Sequence, residues 1–314
     1  MPVHFPLPNF ASTNTRQMNL IITGSLGHIS KPLAQELVQQ GHAVTVITSN
    51  KERQKDIEAL GASAAVGSLE DAEFLTKTFT GADAVYSMTP PNDYFNHNLD
   101  LMAFYSNVAN SYSEAIRNSG VQRLVHLSSI GADLDQDTGI ILGHHAGEAI
   151  LDKLPDVAIT FMRPAAFYYN LYGFLGTIKK QGFIAANYGA ADRIVWVSPL
   201  DIAAAVAEEI VTPLTGRKIR YVASEELTGH EIAGILGTAI GKPGLEWKII
   251  SNEEMRMSLE GIGMSPRIAA GIVEINAGMH SGVIFQDYYL NRPKELGKVK
   301  MTDFAKEFAA AFNQ

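Results

Sequence analysis

The stretch Asn19-Leu-Ile-Ile-Thr-Gly-Ser-Leu-Gly-His-Ile-Ser30 decides the fold. Its apolar run is too short for a helix and breaks into Gly24 and Gly27. A helical pattern then runs from about Ile29 to Gln40, with Leu33, Ala34, Leu37 and Val38 at helical spacing and Gly41 as its stop. Pro32 falls in the first turn, which tolerates it. This is the layout of a strand feeding a glycine turn that opens a helix. Such a turn sets backbone N–H groups and the positive end of a helix against a phosphate.

Working outward, Ala43–Thr48 is rich in β-branched residues and reads as a second strand, which completes a βαβ unit of about 30 residues. Helix-like and strand-like segments then alternate: 51–60 helix, 64–66 strand, 71–79 helix, 84–87 strand, 98–118 helix, 123–128 strand, 143–153 helix and 158–162 strand. The alternation predicts an α/β fold, a Rossmann-type doubly wound parallel sheet with right-handed crossovers. After Pro164 the rhythm weakens. Residues 193–197 and 218–222 read as two more strands around a helix over 201–211, and 224–290 carry helical patterns without a βα repeat. The predicted organisation is an N-terminal arm over 1–17, a nucleotide-binding domain over 18–163 to which 194–223 return, and a smaller mixed C-terminal lobe. That lobe comprises 164–193 and 224–314 and packs over the sheet's carboxyl edge as the substrate lobe.

Composition narrows the classes. The chain of 314 residues has no cysteine, which excludes disulfides, thiol catalysis and cysteine-ligated metal. A net charge of −8 argues against sequence-independent nucleic-acid binding, which needs a dense basic face. No apolar run reaches the length of a membrane span, and 1–17 lack a secretory pattern. The expectation is a cytoplasmic protein, monomer or homodimer, that contacts neither membrane nor nucleic acid and takes a small-molecule acceptor. A protein partner enters only if the role is regulatory.

The usual third glycine of a dinucleotide turn is Ser30 here, the next smallest polar choice. The turn itself, Gly24, Ser25, Leu26, Gly27, His28 and Ile29, is the expected pyrophosphate cradle. The second strand ends Thr48-Ser49-Asn50-Lys51-Glu52-Arg53, with no carboxylate at its tip where an NAD site holds the ribose. Ser49, Asn50 and Arg53, with Lys51, suit a 2′-phosphate instead, so NADP(H) is expected over NAD(H). The bland alternative is that Lys51 and Arg53 are solvated first-turn residues of the next helix. Ser68 and Leu69, after the third strand, are expected beside the adenine. Met88, Thr89 and Pro90, after the fourth, are expected beside the nicotinamide half.

Four segments together resemble the NmrA-like group of atypical short-chain dehydrogenases/reductases: Thr23-Gly-Ser-Leu-Gly-His-Ile-Ser30, Gly67-Ser-Leu-Glu-Asp71, Leu127-Ser-Ser-Ile-Gly-Ala132 and Arg163-Pro-Ala-Ala-Phe-Tyr-Tyr-Asn170. The resemblance covers most of 18–290. It implies an extended Rossmann domain, a small C-terminal lobe and NADP(H) binding. Activities in the group include quinone and azo-dye reduction, and some members are redox-sensing regulators with little turnover.

The wider superfamily pairs a catalytic tyrosine with a lysine four residues on, after a serine. Ser128 and Ser129 fit the serine region, but no tyrosine lies between Tyr112 and Tyr168. By rough placement Ile140 stands for the tyrosine and His144 for the lysine. His144 is therefore both the candidate catalytic group, as a proton shuttle near neutral pH, and a candidate cofactor contact; the alternative is a histidine that merely sits at a helix start. No metal is expected, since His144, His145 and Glu148 have no firm further ligand. Phe167, Tyr168 and Asn170, with Tyr169, follow a strand end where ligand crevices form, and are expected to bind a flat acceptor; core packing is the alternative. The functional expectation is an NADPH-dependent oxidoreductase that transfers hydride to a flat, electron-poor acceptor such as a quinone. The alternative is an NADP(H)-binding redox sensor.

Overall fold

The structure, a computed structural model, describes residues 16–314, so most of the predicted arm lies outside the described residues. Strand β1 (Asn19–Ile22) leads into α1 (Ser30–Gln39), β2 (Ala43–Thr48) into α2 (Gln54–Glu58) and β3 (Ser63–Val66) into α3 (Ala72–Phe79). Next, β4 (Ala84–Met88) leads into α4 (Leu101–Ser119) and β5 (Arg123–Leu127) into α5 (Leu142–Leu151), before β6 (Ala158–Pro164). There follow β7 (Ala166–Phe167), α6 (Leu175–Gln181), β8 (Ile184–Ala186), β9 (Arg193–Val197), α7 (Pro199–Val211) and β10 (Arg217–Val222). The chain ends with β11 (Glu225–Thr228), α8 (Gly229–Ala239), β12 (Trp247–Ile249), α9 (Asn252–Gly261), α10 (Pro266–Ser281), α11 (Gln286–Leu290) and α12 (Met301–Phe312).

Seven parallel strands form the main sheet in the order β10-β6-β5-β4-β1-β2-β3. Both faces are covered, which is why its inner strands are apolar on both sides rather than alternating. Leu20, Ile22, Tyr86 and Val125 belong to one core, with Leu33 and Leu37 of α1 and Val206 of α7. Ile21, Val85, Leu124 and Ile159 belong to the other, with Leu75 of α3 and Val108, Tyr112 and Ile116 of α4. Strand order reverses between β1 and β4, so a crevice opens there at the carboxyl ends.

The 194–223 segment divides. Helix α7 and β10 join the large sheet's layers, whereas β9 pairs with β7 and, antiparallel, with β11 in a separate three-stranded sheet. The β-branched run over 193–197 specifies a strand without specifying its partner. A third core of Leu101, Tyr105, Met264, Ile268 and Ala269 joins the top of α4 to α10, so part of the small lobe sits over the carboxyl end of β4. Among the described residues no single helix is long and apolar enough to cross a membrane.

Candidate functional site

The crevice is built from the β1–α1 corner. Gly24 has φ +88°, a conformation that disfavours any side chain, and Ser25 follows at φ +54°. The turn is closed by Gly27 N–H donating to Gly24 O at 3.1 Å and tethered by Ser25 N–H donating to Ile47 O at 3.0 Å. Ser30 explains why a third glycine is dispensable: its hydroxyl donates to Thr23 O at 2.7 Å and so folds back under the turn. A Cβ on Gly24 would lie 2.5 Å from that oxygen. The N–H groups of Leu26, His28 and Ile29 have no acceptor among the described residues. They cluster at a helix start, where a pyrophosphate would satisfy them and gain from the helix dipole.

The cleft holds about 460 Å³ and is bordered by Gly24, Ser25, Gly27, His28, Ile29, Ser49, Ser68, Leu69, Met88 and Pro90 of the expected set. Leu26, Asn50, Arg53, Thr89 and His144 do not border it, nor do Phe167, Tyr168 and Asn170. Asn50 spends its side chain locally, accepting from Glu52 N–H at 2.9 Å to cap a short 3₁₀ turn over Lys51–Arg53. Lys51 and Arg53 lie exposed on that turn, with no ion-pair partner among the described residues. Thr48 Oγ1 meets Ser25 Oγ at 2.9 Å, which ties the tip of β2 to the glycine turn.

Other walls of the cleft carry no motif in the sequence. Phe104 and Val108 of α4, Glu70, and Tyr86 of β4 all border it. The Tyr86 hydroxyl is buried without a partner among the described residues. Met88 is positioned twice: its N–H donates to Thr23 Oγ1 at 3.0 Å and its carbonyl accepts from Tyr112 OH at 2.8 Å.

The aromatic segment after β6 needs a correction. Tyr169 borders the cleft, with its ring 5.2 Å from His28 and 5.0 Å from Phe167. Tyr168 instead turns into the small lobe, where its hydroxyl donates to Glu225 and Val299 O at 3.0 and 3.2 Å and its ring stacks on Phe304. Asn170 is exposed away from the cleft. Residues Tyr168–Phe174 form 3₁₀ turns, in which consecutive side chains point about 120° apart, so only one of three neighbours can face the crevice.

His144 also departs from expectation. Its Nε2 lies 3.4 Å from Tyr105 OH, the rings meet edge to face at 5.0 Å, and its Nδ1 is buried with no partner among the described residues. Burial lowers its pKa to about 4, so the ring stays neutral at pH 7 and does not shuttle protons there by its own titration. Nearby His126, 2.8 Å from Ser87 Oγ, is lowered to about 3 by burial and by His144. His145 Nδ1 contacts Ala132 O at 3.0 Å, and both oxygens of Glu148 are taken by Arg163.

The buried pair makes stability depend on pH. Both folded-state values lie below the ordinary 6.5, so the unfolded chain takes up protons that the folded chain refuses. Stability is full above about pH 6.5 and falls as pH drops through the window between 6.5 and the folded values. At ~1.4 kcal/mol per unit, His144 alone accounts for about 3 kcal/mol. Urea midpoints measured from pH 7 to 4.5 should fall steadily, and the His144→Gln variant should show a shallower slope. An unchanged slope would contradict the buried neutral ring.

The profile of a family described as NAD(P)H-binding matches residues 24–171. The chain is 24% identical over 301 residues to the NAD(P)H azoreductase of Xenophilus azovorans, covering 93% of this chain and 99% of that one. The NADPH complex of an NADPH-dependent quinone oxidoreductase from Escherichia coli superposes with a TM-score of 0.75 at 18% identity, covering 92% of this chain and 99% of the other. The Citrobacter sp. triphenylmethane reductase superposes with a TM-score of 0.74 at 20% identity, covering 93% and 99%. With its glycine turn at a parallel-sheet switch point, the chain matches the NAD(P)H-binding family model over residues 24–171 and shares the fold of the two reductases that superpose on it.

Proposed function

We propose that this protein is an NAD(P)H-dependent reductase of flat, electron-poor acceptors such as quinones or azo compounds, and that it prefers NADPH. The observation that carries the reading is the pair of N–H groups at His28 and Ile29, which have no acceptor among the described residues and border a cleft also walled by Tyr169 and Phe104. The names of the azoreductase, quinone reductase and dye reductase relatives support it.

The glycine turn would hold the pyrophosphate, Ser68 and Leu69 would flank the adenine, and Met88 and Pro90 the nicotinamide half. Ser49 borders the cleft beside Lys51 and Arg53, whose free cations would attract a 2′-phosphate. The bound nicotinamide would supply a hydride. The chain's contribution is then proximity: the aromatic wall aligns a planar acceptor, and the covering lobe excludes water.

The test is spectrophotometric. Purified protein with simple quinones and azo dyes should oxidise NADPH at least about tenfold more efficiently than NADH, the ratio expected of one charge-assisted contact. Equal use of the two nucleotides would refute the preference. Tight NADPH binding with no turnover on any acceptor would instead favour the redox-sensing alternative.

A further inference from the structure

The acceptor half of the cleft is built without cations. Its walls are Met88, Pro90 and Pro91 after β4, Phe104 and Val108 of α4, and Tyr169. Among the described residues no lysine or arginine borders the cleft, whereas the carboxylate-bearing Glu70 does. Nearby cations are engaged elsewhere. Arg163 of β6 is buried against Glu148, Asp287 and Asp133. Lys51 and Arg53 lie beyond the tip of β2, on the side given to the 2′-phosphate. A bound nucleotide would bring phosphates of its own. An anionic group entering this half would therefore exchange water for apolar walls without a counterion, which is strongly unfavourable.

Tyr169 is held there as a flat platform. Its ring sits 5.2 Å from that of His28 and 5.0 Å from that of Phe167. Burial raises the pKa of its phenol above the ordinary range, as it does for Tyr86 in the same cleft, so both remain neutral hydroxyls. His28 is exposed to water, which screens whatever charge its ring carries. The wall thus offers an apolar stacking face with neutral polar groups beside it.

We propose that Tyr169 sets acceptor specificity, and that the site takes uncharged aromatic acceptors and rejects anionic ones such as sulfonated quinones and dyes. This rests on the reductase reading above and narrows its substrate class. Tyr169 contributes the stacking face, and the missing counterion does the rejecting. Reactivity alone would give the opposite order, because a sulfonate withdraws electrons and makes a quinone a better hydride acceptor.

The experiment compares naphthoquinone with its sulfonate at saturating NADPH. The kcat/KM should favour the neutral quinone by at least about tenfold. Methyl orange and its unsulfonated parent dye should show the same order. Tyr169→Leu should raise KM for the neutral quinone about fivefold with a smaller change in kcat, and Tyr169→Phe, which restores the ring, should recover most of that loss. Tyr169→Arg supplies the missing cation, so the neutral-to-sulfonate ratio should fall by about tenfold. Titration of each variant with NADPH separates these effects from any loss of nucleotide. A wild-type protein that uses the sulfonate as well as its parent, a wild-type KM in Tyr169→Leu, or an unchanged ratio in Tyr169→Arg would overturn the proposal while leaving the reductase reading standing. A wild-type protein that reduces none of these acceptors would remove the reductase reading and the specificity with it.

Discussion

Replacing Arg163 with leucine is expected to cost about 3–5 kcal/mol of stability, a large share of the ~5–15 kcal/mol a typical domain has. Arg163 is 4% exposed and is the last residue but one of β6. Its Nε and Nη2 donate to Glu148 of α5 at 3.0 and 2.7 Å in a bidentate fork. Its Nη1 donates to Tyr221 OH of β10 at 3.2 Å and to Asp287 of α11 at 3.4 Å, with Asp133 at 3.7 Å. Leucine fills the volume but leaves three carboxylates facing one another without their cation. The charge, not the shape, therefore sets the cost. Urea unfolding should show the loss, and the double variant Arg163→Leu/Glu148→Leu should recover part of it, because the stranded carboxylate nearest the arginine is gone. A single variant as stable as wild type would show that the network contributes little. The site should suffer too, since the segment carrying Tyr169 leaves the sheet just after Arg163.

The second large effect concerns the glycine turn. Gly24→Ala should weaken NADPH binding by about 100-fold with little change in far-UV circular dichroism. The new Cβ would sit 2.5 Å from Ser30 Oγ, on a backbone whose φ of +88° already disfavours it. Ser30 cannot yield cheaply, because its hydroxyl holds Thr23 O at 2.7 Å. The turn must shift, and the free N–H groups beyond it shift as well. Loss of two charge-assisted hydrogen bonds at roughly 1.5 kcal/mol each gives about 3 kcal/mol, hence the 100-fold figure. Adding Ser30→Gly should relieve the clash and restore part of the affinity, but not the backbone strain. Unaltered binding in Gly24→Ala would mean that the nucleotide sits elsewhere.

Much of this was legible from periodicity and punctuation. The β-branched run Ala43–Thr48 is strand β2 to the residue, and α1 and β10 fall within a residue or two of their expected bounds. Parallel strands buried on both faces and helices ended by glycine announce themselves locally. The misplacements lie where partner choice is tertiary. Nothing in Arg193–Val197 says that it pairs with β7 and β11 rather than with the large sheet. Nothing in Phe167-Tyr-Tyr-Asn170 says which ring faces the crevice, because that depends on the phase of a 3₁₀ turn. The helix over 301–312, which packs against α8, went unread in sequence because its pattern carries no motif. Phe104 and Val108 were equally silent: a long amphipathic helix shows which face is buried, not which of its residues meets a cleft at the sheet's end.

The central claim is that the β1–α1 corner receives a pyridine dinucleotide. Isothermal titration of the purified wild-type chain with NADPH and with NADH tests it most directly. Saturable binding of one NADPH per chain, with NADH weaker, is the predicted result. Absence of binding by both nucleotides would contradict it.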